Sequence, residues 1–312
     1  MNTTAPEDHR PLLQRAWGTI PAGVRAIAAG FAILMIGGSV SGALMLMNLK
    51  LAPGIPAFLP GTVLWLWLVW LYLDGRGWPR ATSIRRRDAL RAQALSARMW
   101  LWALVSGGCA VAGVMGIAFV TYRLAPLPEA AYEAPFEVAS FPPLTLVSIF
   151  AAIALTAAVV EEAAFRGYML SGIQSRHGWV VGIGVVTLLF YVAHLGHAYA
   201  TLWFLPFFVG HGLVFGLLVY YTRSILPGVV LHAVSDFVVL PMQYGVIPSV
   251  GQWAFVGQGW LSIVAGLAAI AAFRQFRASL SQLDTLDARS RSSVSSWLNE
   301  ARNCRPLGVN SN

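Results

Sequence analysis

The chain has 312 residues, 57% of them hydrophobic and only 11% charged, against the roughly 25% charged of a soluble domain. That composition excludes a soluble globular domain and predicts an all-α, polytopic membrane helix bundle, because several runs reach the ~20 apolar residues a bilayer crossing needs. The net charge of +8 does not mark a nucleic-acid binder, since the basic residues sit between apolar runs, where the positive-inside rule puts them.

Residues 1–23 carry no short apolar stretch ending in a cleavage site, so the first span, Ala26–Met47, is expected to act as its own signal. Pro53, Pro56 and Pro60 then lead to Thr62–Leu73, whose Trp65, Trp67, Trp70 and Tyr72 suit a helix touching the membrane interface. The segment 74–98 is the most basic, with Arg76, Arg80, Arg85, Arg86, Arg87, Arg91 and Arg98 against Asp74 and Asp88. It reads as a cytoplasmic loop, and 24–142 as an N-terminal group of membrane helices around it.

Met99–Tyr122 is the third span. The following loop holds Glu129, Glu133 and Glu137 and only one basic residue, Arg123, which places it on the far side of the membrane. The spans Leu144–Leu170, Val180–Leu195, Leu202–Tyr221, Ile225–Leu240 and Trp253–Phe273 complete a set of about eight. Arg176 and Arg223 mark the turns back to the cytoplasm. Residues 143–273 form one helical unit and 274–312 a basic cytoplasmic tail, disordered or a surface helix. Both termini are expected in the cytoplasm. Cys109 and Cys304 are too few and too far apart for a disulfide framework or a Cys-rich metal site.

Ionisable residues inside the spans are costly and mark function. The acids are Glu161, Glu162 and Asp236; the histidines are His194, His211 and His232, with His197 near a span end. Glu162 and Arg166 are i,i+4 on one helix and can pair. Glu161 points about 100° away from Glu162 and has no local partner, so it is the carboxylate free for proton transfer. Glu161 and His194 lie symmetrically about His177–Gly178, so a hairpin there sets them level. His232 and Asp236 share a face, but the count from Arg223 puts His232 closer to the cytoplasm, unless its helix starts deeper. His211, within GHGLVFG, reads as a packed interior residue and its glycines as close helix contacts.

Three motifs give the chain a likeness. Glu161-Glu162-Ala-Ala-Phe-Arg166, Phe190-Tyr-Val-Ala-His194 and His232-Ala-Val-Ser-Asp236 lie in order on three spans. This resembles the CAAX protease and bacteriocin-processing family of intramembrane proteases, whose motifs are EExxxR, FxxxH and HxxxN or HxxxD. The resemblance covers roughly Leu144–Leu240. It implies an intramembrane endopeptidase in which Glu161 and His194 activate water. Glu162, Arg166 and Phe190 would support the helix, and His232 with residue 236 would stabilise the oxyanion. Asp236 stands where the prenyl-processing members carry Asn. An ionised Asp cannot donate a hydrogen bond and Asn can, so Asp236 must be protonated, orient His232 or bind a metal.

Two versions of peptide hydrolysis stay open. One uses no cofactor; the other holds Zn²⁺ through His194, His232 and Glu161, a three-ligand open site. The metal-free version is preferred. The substrate is expected to be a membrane-associated peptide or protein, with lipid as the only other partner and no nucleic acid. The location is an integral protein of, by its Arg-rich and Lys-poor composition, a bacterial plasma membrane. The alternatives are a non-catalytic membrane scaffold or immunity protein and a proton-coupled transporter, though no internal repeat of the transporter kind is evident.

Overall fold

A computed structural model describes residues 19–244, apart from 126, 132, 134–136, 138 and 139, together with 264–280. Among the described residues the ordered elements are all helical. In hydrocarbon a backbone N–H has no water to bond, so apolar segments of this length close their hydrogen bonds within themselves. The helices are α1 (Ala22–Leu51), α2 (Phe58–Leu73), α3 (Ser83–Leu90), α4 (Ala97–Leu124), α5 (Pro143–Glu161), α6 (Leu170–Ala193), α7 (Leu205–Thr222), α8 (Leu226–Gln243) and α9 (264–280). Proline opens α5, α7 and α8 within their first two positions, where its missing N–H has no intrahelical partner to lose.

Hydrogen bonds define the two ends of the bundle. At one end Thr145 donates to the Pro53 carbonyl and Gln243 to that of Ala131, at 2.9 and 3.0 Å. At the other, basic end, Tyr168 donates to Leu73 O, Ser171 to Ala89 O and Ser224 to Gln93 O. These contacts gather successive loops at alternate ends of the bundle.

α5 does not stop at the membrane face. It passes through a π-helical stretch, Glu162–Met169, and on through α6 to Gly178. There the chain turns with φ 77° and ψ 172°, a conformation open to glycine and rarely to other residues. Beyond it the second limb of α6 folds back: a Cβ on Gly182 would lie 3.0 Å from Leu170 and Gln174. Phe165 meets Phe190 edge-on at 5.3 Å. The hairpin axis is therefore the His177–Gly178 turn, as the sequence predicts. α1 lies against this helix through glycines, a Cβ on Gly37 coming within 2.6 Å of Val160 and one on Gly30 within 2.5 Å of Met169.

Five segments are long and apolar enough to cross a membrane: Ala22–Leu51, Ala97–Leu124, Pro143–Ala193, Leu202–Thr222 and Leu226–Gln243. The third is the hairpin, so it holds two of the expected spans. Phe58–Leu73 has 16 residues, about 24 Å of helix, short of the ~30 Å hydrocarbon core. The expected eighth span is described only from residue 264. Residues 253–263, the N-terminal tail to residue 18 and the tail from 281 lie outside the described residues, whereas Arg274 and Arg277 continue α9.

The basic segment 74–98 is more than a loop. α3 forms within it, and Arg86, 6% exposed, donates to Gly77 O at 2.6 Å while its guanidinium stacks 4.2 Å from the Tyr72 ring. Leu90 is fully buried. Gly167 abuts it: a Cβ there would come within 3.2 Å of Leu90 O. This cap covers the foot of the π-helical stretch.

The arrangement predicts topology. In a background lacking Cys109 and Cys304, cysteines at the exposed positions of Glu133 and Arg85 should label from opposite sides of the membrane, Glu133 from outside. Labelling of both from one side would break the model.

Candidate active site

The site grows from the π-helical stretch. Glu162 and Arg166 are both buried, at 0% and 1% side-chain exposure, and pair at 3.0 Å. The Arg166 guanidinium sits between aromatic faces, 4.7 Å from the Phe190 ring and 5.3 Å from Phe215. Rings of this kind attract a desolvated cation through their negative faces. Phe190, the first residue of its motif, is thus a wedge: it backs Arg166, meets Phe165, and stacks 5.3 Å from His211.

Glu162 also holds His232, whose Nδ1 lies 3.0 Å from the carboxylate oxygen that Arg166 uses. α8 reaches it because Gly228, one turn before His232, leaves room. A Cβ at Gly228 would lie 3.0 Å from the other Glu162 oxygen and 3.3 Å from Phe215. The depth of His232 follows from the same end of the helix. Ile225 N–H donates to Arg91 O at 3.1 Å, so α8 starts level with the Leu90–Gly167 contact and not with the Gly178 turn. His232 is six residues above that start and Glu161 six residues above Gly167, which brings the two to a similar level. The seventh span does start deeper.

Among the described residues Glu161 has no partner within direct hydrogen-bond range. Its two oxygens face His194 Nε2 at 4.0 Å and His232 Nε2 at 3.9 Å. Its side chain is 19% exposed, and those of His194 and Asp236 are 14% and 26%, so this side of the network is open while Glu162 is closed. His194 Nδ1 donates to Phe190 O at 2.7 Å; a carbonyl only accepts, so Nδ1 carries a proton, and in the neutral ring Nε2 presents a lone pair to Glu161. Asp236 Oδ2 lies 3.5 Å from His232 Nε2. All four expected site residues, Glu161, His194, His232 and Asp236, meet in one cluster, with Glu162, Arg166 and Phe190 beneath it.

His211 is buried as expected. Cβ atoms at its flanking glycines would strike Val114 at 2.9 Å and Thr187 at 2.5 Å. Yet it is not remote from the cluster, since its ring meets His232 edge-on at 5.1 Å. The sequence reading missed Gly228, though a glycine one turn before a histidine on one face was a legible sign. The loop expected between Leu195 and Leu202 begins two residues earlier, at His194. The second limb of α6, 15 residues from 179, is about 22 Å long and ends at the level of Glu161. The expected fifth span is therefore shorter than a crossing. Tyr199 in this loop stacks on His197 at 5.1 Å and on Phe208 at 6.2 Å, and His194 packs 5.3 Å from Phe208. Non-helical backbone at this depth is tolerated where it lines protein or a watered cavity.

Among the described residues no three His, Cys, Asp or Glu side chains converge as a metal-holding set. The ring nitrogens of His232 are turned to carboxylates, and those of His194 to a carbonyl and to Glu161 at 4.0 Å, somewhat wider than the roughly 3.4 Å between two donors on a tetrahedral zinc with bonds of ~2.0–2.2 Å. In the metal version His194, His232 and Glu161 are the groups that would hold the ion.

The fold and cluster define a class: a helical integral membrane protein with a buried Glu–Arg–His frame under an accessible Glu–His–His–Asp group. Residues 143–238 match the family model described as type II CAAX prenyl endopeptidase Rce1-like. That range covers α5, the π-helical stretch, α6, α7 and most of α8, and includes every residue of the cluster. No curated protein and no solved structure gives a match. The family match points to a protease acting on membrane-associated peptide, the same family the three motifs resemble.

Two variants test the frame. Glu162→Gln removes the counter-charge of a buried Arg166 and should destabilise the protein by about 3–5 kcal/mol, read as a large drop in thermal unfolding temperature in detergent. Gly228→Val pushes α8 off Glu162 and should cost about 1–3 kcal/mol. Wild-type unfolding temperatures for both would show that the frame is not built as described.

Proposed function

We propose that this protein is an intramembrane endopeptidase in which Glu161 is the general base. The observation that carries the reading is the contrast between the glutamates: Glu162 is closed and doubly bonded, while Glu161 faces two imidazole nitrogens at about 4 Å. That spacing is too long for a direct hydrogen bond and suits groups that share a water.

In the proposed reaction a water donates one proton to Glu161 and the other hydrogen bond to the lone pair of His194 Nε2. Its oxygen attacks the scissile carbonyl carbon. His232, doubly protonated, turns its one Nε2–H from Asp236 Oδ2 to the oxyanion that forms, while Glu162 holds Nδ1. Collapse breaks the C–N bond, and Glu161 returns its proton to the leaving amine. The products are a free amine and a new carboxylic acid, whose remaining proton passes to water as it ionises. Substrates are membrane-associated peptides whose scissile bond reaches the level of the 194–201 loop. Asp236 acts through His232, so its side chain needs to hydrogen-bond but does not need charge.

The experiment is peptide cleavage by purified protein in detergent or vesicles, using peptides with a C-terminal lipid or apolar anchor, with zinc measured in each preparation. Glu161→Gln should lose activity by about 10²–10⁴-fold while unfolding at the wild-type temperature. Asp236→Asn should keep substantial activity. Stoichiometric zinc in active wild type, lost together with activity in Asp236→Asn, would overturn the metal-free mechanism. Absence of cleavage by folded wild type across such peptides would overturn the protease reading.

A further inference from the structure

Outside the cluster, one group of charges has no explanation in the reaction. Among the described residues only two that are not glycine have positive φ: Arg91 at 57° and Arg223 at 59°. Arg91 ends α3 and Arg223 ends α7. Helices commonly end on such a left-handed residue, but it is usually glycine, which has no Cβ to strain. Both arginines turn to the same ring. Their guanidinium carbons lie 5.0 and 4.9 Å from the centroid of Trp179, the first residue after the Gly178 turn. The two turns are stitched together, Ile225 N–H donating to Arg91 O and Ser224 Oγ to Gln93 O.

The grouping is electrostatically costly as it stands. The shared indole puts two positive charges within roughly 10 Å, about one Debye length. Neither has a carboxylate partner among the described residues, and Asp74 is already paired with Arg76 at 2.9 Å. Nη1 of Arg91 is buried without a hydrogen-bond partner. Burial, and then Arg223 beside it, pull the Arg91 guanidinium down to about 10, still charged at neutral pH. A cation near a helix C-terminus is favoured by the exposed carbonyls. That accounts for the sign of each charge, but not for two of them sharing one indole with a donor left over.

We propose that Arg91, Arg223 and Trp179 form a binding site for a phosphate anion at the basic end of the bundle, filled by the headgroup of an anionic phospholipid. The guanidinium fork matches phosphate oxygens in pairs. Trp179 packs edge-on against Tyr220 at 5.2 Å, and such aromatics gather at the headgroup level of a bilayer. The neighbouring exposed Val180 and Tyr220 offer the apolar border that acyl chains need. The site is separate from Glu161 and independent of the protease reading.

Glycine is the test substitution, because it removes the charge and keeps the left-handed turn. The purified full chain in a non-ionic detergent would be titrated with phosphatidylglycerol, with phosphatidylcholine, and with inorganic phosphate alone, bound ligand being counted by native mass spectrometry. Phosphatidylglycerol should bind and phosphatidylcholine should not. Arg91→Gly and Arg223→Gly should each weaken phosphatidylglycerol at least tenfold, whereas Arg85→Ala in the same basic segment should change it less than twofold. Competition by inorganic phosphate supports recognition of the phosphate; binding of inorganic phosphate as tightly as the lipid assigns the site to the free anion. Wild-type lipid binding by the double glycine variant would overturn the proposal. So would an equal loss from Arg85→Ala, which would reduce the effect to general charge.

Discussion

The structure depends on one buried charge arrangement. Glu162, fully enclosed, pairs with Arg166 and with His232 through a single oxygen, both at 3.0 Å. Charges inside a bundle are expensive to desolvate, and here Glu162 Oε2 and Arg166 Nε and Nη2 stay without hydrogen-bond partners among the described residues. Four helical segments share in offsetting that cost. The π-helical stretch supplies Glu162 and Arg166, α8 supplies His232, and Phe190 and Phe215 close over the guanidinium. Removing any one contributor strands a charge, so the helices are tied in register by chemistry as well as by packing.

That frame also decides what is left over. Once Glu162 has taken His232 Nδ1, the Nε2 side of the ring can only face outward, toward Asp236 and Glu161. Once Phe190 O has taken His194 Nδ1, the Nε2 of His194 faces Glu161 in the same way. Two imidazoles are thereby aimed at one carboxylate that has no direct hydrogen-bond partner among the described residues. In the proposed reaction, stability and reactivity fall on adjacent residues of one helix, separated by about 100° of rotation. π-helical stretches recur at functional sites in other helices, and here one begins at the residue after Glu161.

Much of this was legible in the sequence. Apolar runs and arginine placement gave the helical class and the alternation of ends, because hydrocarbon forbids unpaired backbone and charge. The i,i+4 pair Glu162–Arg166 and the symmetry of Glu161 and His194 about Gly178 needed only helical geometry. What the sequence hid was three-dimensional. The depth of His232 depends on a contact between Ile225 and Arg91, 134 positions apart in the chain. The second role of Glu162, as the anchor of His232, could not be read from a motif that pairs it with Arg166. α3 hid in a segment whose composition reads as a basic loop, since its burial comes from Leu90 and Arg86 and not from an apolar stripe. The short limb after Gly178, read as the span Val180–Leu195, ends at Ala193 because the chain turns into a loop that lines protein.

The central claim is that Glu162 holds the frame and Glu161 does not. It is tested most directly by double-mutant cycles in unfolding free energy between each glutamate and His232, using Glu→Gln and His232→Asn. The account predicts a coupling of about 1–3 kcal/mol for Glu162 with His232, in the range found for contacting residues in one network, and less than about 0.5 kcal/mol for Glu161 with His232. A larger coupling for Glu161 than for Glu162 would contradict it.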